Sequence, residues 1–232
     1  MPLHSKVIPV LPPPWVTRVI IVGAGGFGRE VLQWARDAWP AHAHLIAGFL
    51  SANADCFKNY PSHSGLKIFA DPEDFKPDPG DALLLAIGIP ESRRRVAETL
   101  GSQGATFLTL IHPTAIVAPT ARIGEGSILC PYSIVSDSAC LGRLVVLNYH
   151  TSLGHDASAG DYSVLSPYAT LGGGAVIAED VFMGMHSSIG PGKKVGARSK
   201  VSANSAALNH APEDSIVYGV PGRSMPRFSL QE

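Results

Sequence analysis

The sequence has few charged residues and no long apolar run. Charged residues make up 16% of the chain, with 18 Lys and Arg against 19 Asp and Glu, and no block of five like charges occurs. Nothing in this balance suggests a partner such as a nucleic acid or an acidic lipid, which proteins hold by basic surfaces. No apolar run approaches the ~20 residues of a membrane span. We therefore expect a cytoplasmic protein with no nucleic-acid partner and no membrane partner.

Cysteine is also scarce, whereas glycine and proline are not. Cys56, Cys130 and Cys140 form neither a C-x-x-C pair nor a disulfide framework, and they fit a reducing compartment. The 24 glycines and 19 prolines indicate many turns and short repeated strands rather than a helical bundle. Prolines interrupt the apolar stretch in residues 1–17, unlike the unbroken core of a signal peptide, so this segment is predicted to be a flexible extension.

Residues 18–108 alternate apolar strand patterns with helical patterns. This alternation is typical of a small parallel α/β domain, and we predict a Rossmann-like βαβ unit. The predicted strands cover 19–22, 44–50 and 81–88, and the predicted helices cover 29–39 and 91–104.

From Ile111 onward an aliphatic residue recurs at every sixth position. A period of six matches neither a helix nor a flat strand, but it fits one short strand and one turn per repeat. Three such strands close a triangular coil of 18 residues, so we predict a left-handed parallel β-helix of about five coils over 109–209, followed by a C-terminal tail over 210–232. Such a solenoid can also serve only as a scaffold, and its flat faces favour a closed trimer. The repeated positions are Ile111, Val117, Ile123, Leu129, Val135, Leu141, Leu147, Leu153, Ala159, Leu165, Leu171, Ile177, Met183, Ile189, Val195, Val201 and Ala207.

The combination of the strand–GAGGFG–helix unit, the hexapeptide prism and the closing YGVPGR resembles a known family. It is similar to the bacterial sugar acyltransferases of the sialic acid O-acetyltransferase and UDP-amino-sugar N-acetyltransferase (PglD/NeuD-like) type. The resemblance implies a homotrimer, acetyl-CoA as co-substrate, sites between adjacent prisms, and an N-terminal domain that receives a nucleotide-linked sugar. It rests on VGAGGFGREV (22–31), AIGIPESRRR (86–95), LIHPTAIVAPTARIG (110–124), LNYHTSLGHD (147–156) and SPYATLGGGAVIAEDVFMGMHSSIGPG (166–192).

The resemblance implies that His155 is the general base and that Asp156 supports it. A sugar amine or hydroxyl must lose a proton as it attacks a thioester, and imidazole titrates near neutrality. A neighbouring carboxylate orients the ring and favours its protonated form. These two residues are the predicted catalytic pair.

Three further positions match the family's donor site. Gly173 follows His155 by 18 residues, which is one coil, so it is expected to stack on the histidine with its amide near the thioester oxygen. Met185 and Ala203 match positions that line the pantetheine of the donor. The family histidine that some members carry near Val164 is absent here.

The segment Gly23–Gly28 carries the dinucleotide fingerprint G-x-G-x-x-G, which alone is a weak signal. NAD binding also needs an acid at the end of the second strand, and none occurs before Asp55, so no NAD is expected. The Asp pair with which the family contacts the nucleotide base is missing after Leu50. Gly88 and Glu91 match family positions near the sugar nucleotide. The predicted substrate-binding residues are therefore Gly25, Gly26, Phe27, Gly88 and Glu91.

The leading hypothesis is acetyl transfer from acetyl-CoA to the amino group of a nucleotide-linked amino sugar. O-acetylation of sialic acid or of another sugar hydroxyl is the alternative, because the same base serves both reactions. A γ-carbonic-anhydrase-like zinc enzyme is a third reading, since His150 and His155 have the H-x4-H spacing on the same fold. The nearest upstream histidine, His112, falls in a different repeat phase, so no metal site is expected.

Overall fold

The computed structural model of the chain describes residues 11–63 and 65–227. An α/β unit comes first and a prism of short parallel strands follows, so the fold class expected from the sequence is confirmed. None of the helices in the described ranges is long and apolar enough to cross a membrane. Residues 1–10 of the predicted extension lie outside these ranges, and Val16 is buried against the α/β unit.

The α/β unit is a four-stranded parallel sheet with strand order β3-β2-β1-β4. Its central strands, β2 and β1, are apolar apart from Arg18 at the start of β1, because both faces of the sheet are covered. The third strand was not predicted from the sequence, since two residues leave no recognisable pattern, and a 3-10 helix occupies the start of the second predicted strand. The elements are β1 (Arg18–Val22), α1 (Gly26–Ala38), a 3-10 helix (Pro40–Leu45), β2 (Ile46–Leu50), a 3-10 helix (Pro61–His63), β3 (Lys67–Ile68), β4 (Asp81–Leu85) and α2 (Pro90–Ser102).

Seventeen strands of two residues each build the prism, and the second residue of each strand is the aliphatic predicted by the six-residue period. These side chains fill the interior as one continuous apolar core. The strands are β5 (Leu110–Ile111), β6 (Ile116–Val117), β7 (Arg122–Ile123), β8 (Ile128–Leu129), β9 (Ile134–Val135), β10 (Cys140–Leu141), β11 (Val146–Leu147), β12 (Ser152–Leu153), β13 (Ser158–Ala159), β14 (Val164–Leu165), β15 (Thr170–Leu171), β16 (Val176–Ile177), β17 (Phe182–Met183), β18 (Ser188–Ile189), β19 (Lys194–Val195), β20 (Lys200–Val201) and β21 (Ala206–Ala207).

The prism has three faces, each named here by its number of strands. The six-stranded face contains β6, β9, β12, β15, β18 and β21, and the five-stranded face contains β7, β10, β13, β16 and β19. The eight-stranded face contains β5, β8, β11, β14, β17 and β20, extended by β22 (Ser215–Tyr218) and β23 (Arg223–Pro226). The predicted tail over 210–232 therefore differs from the structure, where part of it continues a sheet.

Two different constraints shape the corners between the faces. From Gly126 to Asn204, the third residue after each inward aliphatic turns the chain in the left-handed region, as at Leu144 with φ 55° and Asp156 with φ 57°. Most of the glycines that directly follow the aliphatics, with the exception of Gly190, are needed for close stacking instead. A Cβ on Gly124, for example, would lie 2.2 Å from the carbonyl oxygen of Gly142 in the next coil.

The α/β unit packs on the eight-stranded face and on the edge between this face and the five-stranded face. Ile128, Val146 and Val164 share an apolar cluster with side chains of β1 and α1. The fully buried guanidinium of Arg93 donates hydrogen bonds to the carbonyl oxygens of Leu85 and Leu144, on opposite sides of the junction. These contacts fix the α/β unit on the prism.

Candidate functional site

The turn between β12 and β13 presents the predicted catalytic pair at the edge shared by the six-stranded and five-stranded faces, here called the His155 edge. His155 Nδ1 and Asp156 Oδ2 are 2.8 Å apart, and the two side chains are 72% and 67% exposed. Neighbouring residues can meet in this way because the left-handed conformation of Asp156 reverses the usual alternation of side chains. With Nδ1–H donated to the carboxylate, Nε2 is the ring nitrogen left to accept a proton.

Gly173 lies one coil beyond His155, as its spacing predicted. A Cβ on Gly173 would lie 2.4 Å from His155 Nε2, so the bare glycine leaves the imidazole in place. Within the described ranges no hydrogen-bond acceptor is assigned to the Gly173 amide, although the neighbouring Gly174 amide donates to the His155 carbonyl oxygen at 2.8 Å. The structure thus brings together a histidine nitrogen and a backbone amide available to a ligand.

Met185 and Ala203 lie on a different edge. Both belong to turns between the eight-stranded and six-stranded faces, and the main chain stacks them one coil apart, with the Asn204 amide donating to the Met185 carbonyl oxygen at 2.9 Å. The whole six-stranded face separates them from His155 and Gly173 in the same chain. The predicted donor-site residues therefore fall into two groups that one chain does not bring together.

The α/β unit carries a crevice at the carboxyl ends of its parallel strands, the usual ligand position in such sheets. The crevice has a volume of about 260 Å³ and opens beside Gly23, which takes φ 102°. A Cβ on Gly28 would lie 1.9 Å from the Gly23 carbonyl oxygen, so this glycine permits the close approach of α1 to the turn. The lining residues are Gly23, Leu50, Ser51, Ala52, Asp71, Pro72, Glu73, Ile87, Arg95 and Val96.

None of the predicted substrate-binding residues lines this crevice. Gly25 and Gly26 are exposed at the start of α1, and open space surrounds the position of a Gly25 Cβ. Phe27 packs edge-on against Trp34. Gly88 follows Ile87 of the crevice wall, whereas the Glu91 carboxylate accepts a hydrogen bond from Arg227.

Sequence reasoning missed the polar residues of the crevice. Asp71 and Glu73 follow the short β3, and Arg95 comes from α2. The acidic residues of the crevice therefore follow the third strand, whereas the second strand contributes only Ser51 and Ala52 after its end. The signal available in the sequence was the ADPED segment after Phe69, which reads as an ordinary turn. Nearby, burial lowers the pKa of the Arg93 guanidinium to about 9.

The zinc reading gains no support from the positions of the histidines. His150 lies on the same edge as Met185, and His155 lies on the other side of the six-stranded face. His112 is engaged by Thr114 and Asp37. Across residues 11–63 and 65–227, no group of three His, Cys, Asp or Glu side chains is arranged to hold a metal ion.

Comparison with known proteins agrees with this architecture. Residues 18–100 match the family described as the PglD N-terminal domain. The GDP-perosamine N-acetyltransferase of Escherichia coli O157:H7 is 26% identical over 59% of this chain and 61% of its own length. The UDP-N-acetylbacillosamine N-acetyltransferase of Bacillus subtilis (strain 168) is 34% identical over 48% and 50%. The chain thus spans between half and two thirds of the length of these curated relatives.

Among solved structures, PerB from Caulobacter crescentus, crystallised with CoA and GDP-perosamine, superimposes with a TM-score of 0.77 and is 26% identical. The superposition covers 90% of this chain and 97% of PerB. The acetyltransferase domain of PglB from Neisseria gonorrhoeae has the same TM-score at 24% identity and supports the fold. Residues 18–100 thus belong to the PglD N-terminal domain family, and the chain as a whole has the fold of PerB and is similar to these two N-acetyltransferases.

Proposed function

We propose that this chain transfers an acetyl group from acetyl-CoA to the amino group of a nucleotide-linked amino sugar, with His155 as the general base and the cytoplasm as its compartment. The observation that carries the proposal is the His155–Asp156 contact, which leaves Nε2 free beside Gly173. The related enzymes of E. coli and B. subtilis, named as N-acetyltransferases of nucleotide-linked amino sugars, support the same chemistry.

Each step of the reaction has a group to serve it. The acceptor nitrogen attacks the thioester carbonyl carbon while His155 Nε2 takes its proton, and Asp156 holds the ring with Nδ1–H toward the carboxylate. The Gly173 amide faces the negative charge that develops on the carbonyl oxygen. When the carbon–sulfur bond breaks, the imidazolium returns the proton to the leaving CoA thiolate.

The donor site requires more than one copy of the chain. His155 and Gly173 lie on one edge, and Met185 and Ala203 lie on the next, so one pantetheine arm reaches both groups only where two prisms meet. In a closed ring of identical heterologous contacts, every copy has a neighbour at both edges. Three copies give a homotrimer of about 73 kDa, from a chain mass of 24.4 kDa. Sedimentation measures this directly, and a stable monomer would contradict the shared site.

The crevice of the α/β unit is the proposed place for the nucleotide of the acceptor. Gly25 and Gly26 at the start of α1 offer backbone amides to a diphosphate, as helix N-termini do. Asp71 and Arg95 give the crevice polar partners for a base or a ribose.

The decisive experiment measures thiol release from acetyl-CoA with a panel of GDP-, UDP- and dTDP-linked 4-amino sugars. We expect release with at least one of them and none with its already acetylated product. Sialic acid is included in the panel. Release with sialic acid alone would replace N-acetylation by the O-acetylation alternative.

A further inference from the structure

Four aromatic rings stack along the prism edge between the eight-stranded and six-stranded faces. Tyr132, His150, Tyr168 and His186 form this ladder, with ring centroids 5.1, 4.8 and 4.6 Å apart and interplanar angles of 11°, 8° and 5°. Each is the left-handed corner residue of its turn, so the 18-residue coil places one directly over the next. Neither the family resemblance nor the proposed chemistry assigns a role to this ladder.

At its two inner rings, His150 and Tyr168, the ladder leaves only the ring edges available for binding. Both faces of His150 are covered, by Tyr132 and by Tyr168, and no hydrogen bond within residues 11–63 and 65–227 is assigned to either of its ring nitrogens. Tyr132 and Tyr168 are 55% and 44% exposed, and Met185, next to His186 in the chain, is 54% exposed. An exposed apolar strip of this kind, with polar atoms along its rim, is typical of a contact surface.

The six-stranded face beside the ladder shows what covers this surface. Its outward positions carry no charge, and two of them, Ile116 and Ile134, are exposed aliphatics. The α/β unit of the same chain covers β5, β8, β11 and β14 of the eight-stranded face, and the five-stranded face carries outward Arg122 and Lys194. The uncharged face is therefore the one that suits a second copy. Its outward residues are Ile116, Ile134, Ser152, Thr170, Ser188 and Ala206.

In a ring of copies about an axis parallel to the prisms, every residue keeps its height along that axis. His150 and His155 belong to successive turns of one coil, so they differ in height by less than the ~4.8 Å step between coils. The ladder edge of one copy and the His155 edge of its neighbour flank the same groove, because both border the six-stranded face.

The two ends of this groove serve different ligands. The proposed donor contacts Gly173, Met185 and Ala203 all lie beyond His155 toward the C-terminal coils. The acceptor must therefore approach from the side of the N-terminal coils, where Tyr132 and His150 lie. We propose that Tyr132 and His150 of one copy form the wall of the acceptor pocket facing His155 of the neighbouring copy, with His150 hydrogen-bonded to a hydroxyl of the amino sugar. This inference rests on the proposed function.

The first test is His150→Phe, which keeps the stacked ring and removes its nitrogens. Phenylalanine suits this left-handed corner, because tyrosine occupies equivalent corners at 132, 162 and 168. We expect an unchanged Tm and oligomeric state, about a tenfold lower kcat/KM for the acceptor, the scale of one hydrogen bond, and an unchanged KM for acetyl-CoA. His44→Phe is the control, because His44 is also an exposed histidine stacked on a neighbouring ring.

The second test mixes His155→Ala and His150→Phe chains by co-expression. If the two histidines of a site come from different copies, about one site in four regains both, and activity rises about fivefold over the average of the two unmixed variants. If they act within one copy, mixing changes nothing, and the proposal is overturned. A native kcat/KM for His150→Phe overturns it as well. A wild type that releases no thiol with any acceptor overturns the proposed function, and this inference with it.

Discussion

The backbone of Gly173 lies directly against the imidazole of His155, leaving no room for a methyl group. A Cβ at Gly173 would come within 2.4 Å of Nε2 and 2.7 Å of Cε1. Because Gly173 does not adopt a left-handed conformation, the glycine is required here by the neighbouring ring and not by the chain path. Glycine at position 173 is therefore required by the candidate site and not by the fold of the prism.

Gly173→Ala should therefore reduce activity without unfolding the protein. The exposed His155 ring moves aside at little cost in stability, but its Nε2 loses its place at the site. We expect kcat/KM to fall about 10²-fold, the cost of a misplaced catalytic group, with Tm nearly unchanged. Gly190→Ala is the matched control, because a Cβ there meets only ordinary contacts at 3.5 Å. Equal loss in both variants would contradict the prediction.

His155→Ala should lower kcat by about 10²–10⁴, the usual effect of removing a general base, while CoA affinity changes little. Asp156→Asn should have a smaller effect, since asparagine keeps the left-handed corner and loses only the carboxylate. Steady-state kinetics and CoA titration on folded oligomers measure both. A near-native kcat for His155→Ala would assign the rate to positioning of donor and acceptor instead.

Gly25→Leu should weaken acceptor binding and leave CoA binding intact. The backbone at Gly25 has φ −72°, which leucine adopts freely, and the space around its Cβ position is open, so the fold should persist. A leucine side chain would then fill the space assigned to the nucleotide. Calorimetric titration with the nucleotide sugar and with CoA tests the separation, and Gly101→Ala, also in open space, is the control. Lost CoA affinity would show that the glycine turn serves the donor.

Arg93→Met should destabilise the protein by about 3 kcal/mol, because it leaves buried carbonyl oxygens without donors. The guanidinium bonds to the carbonyl oxygens of Leu85, Ile87 and Leu144. Urea unfolding measures the loss. Since Ile87 lines the crevice, KM for the nucleotide sugar should rise at temperatures where the variant is folded. Arg95→Met, on the same helix but exposed, should leave stability nearly unchanged.

Acidification should cost stability through His112. Burial lowers the pKa of this imidazole below its ordinary value of 6.5, and the nearby Asp37 opposes the shift only in part. Because the folded state favours the neutral ring, the unfolded chain binds more protons, so unfolding free energy falls as pH drops below about 6.5. His112→Gln should flatten this dependence in urea titrations between about pH 7.5 and 5.5. The same substitution at exposed His44 provides the comparison.

The prism could be predicted from the sequence because its order is local. Every repeat of six residues makes the same strand and corner, so the aliphatic period determined the interior, and the spacing of 18 placed Gly173 over His155. The α/β unit was predictable for the same reason where buried strands are long, as in β1 and β4. The two-residue β3 was missed because so short a strand leaves no recognisable pattern, and β22 and β23 were missed because the six-residue period ends before them, at Ala207.

Only the tertiary structure decided which edge carries each residue and what covers each face. His155 and Met185 fit one repeat pattern in the sequence, yet a whole sheet separates them, because each turn rotates the chain to the next face of the prism. Asp71 reaches the crevice because a parallel strand ends there, and no local pattern encodes that meeting of strand ends. Tyr132 and His150 are 18 residues apart in the sequence and stack only because successive coils of the prism lie on one another. The sequence therefore determines which rings are present, and the fold determines that they form a continuous surface.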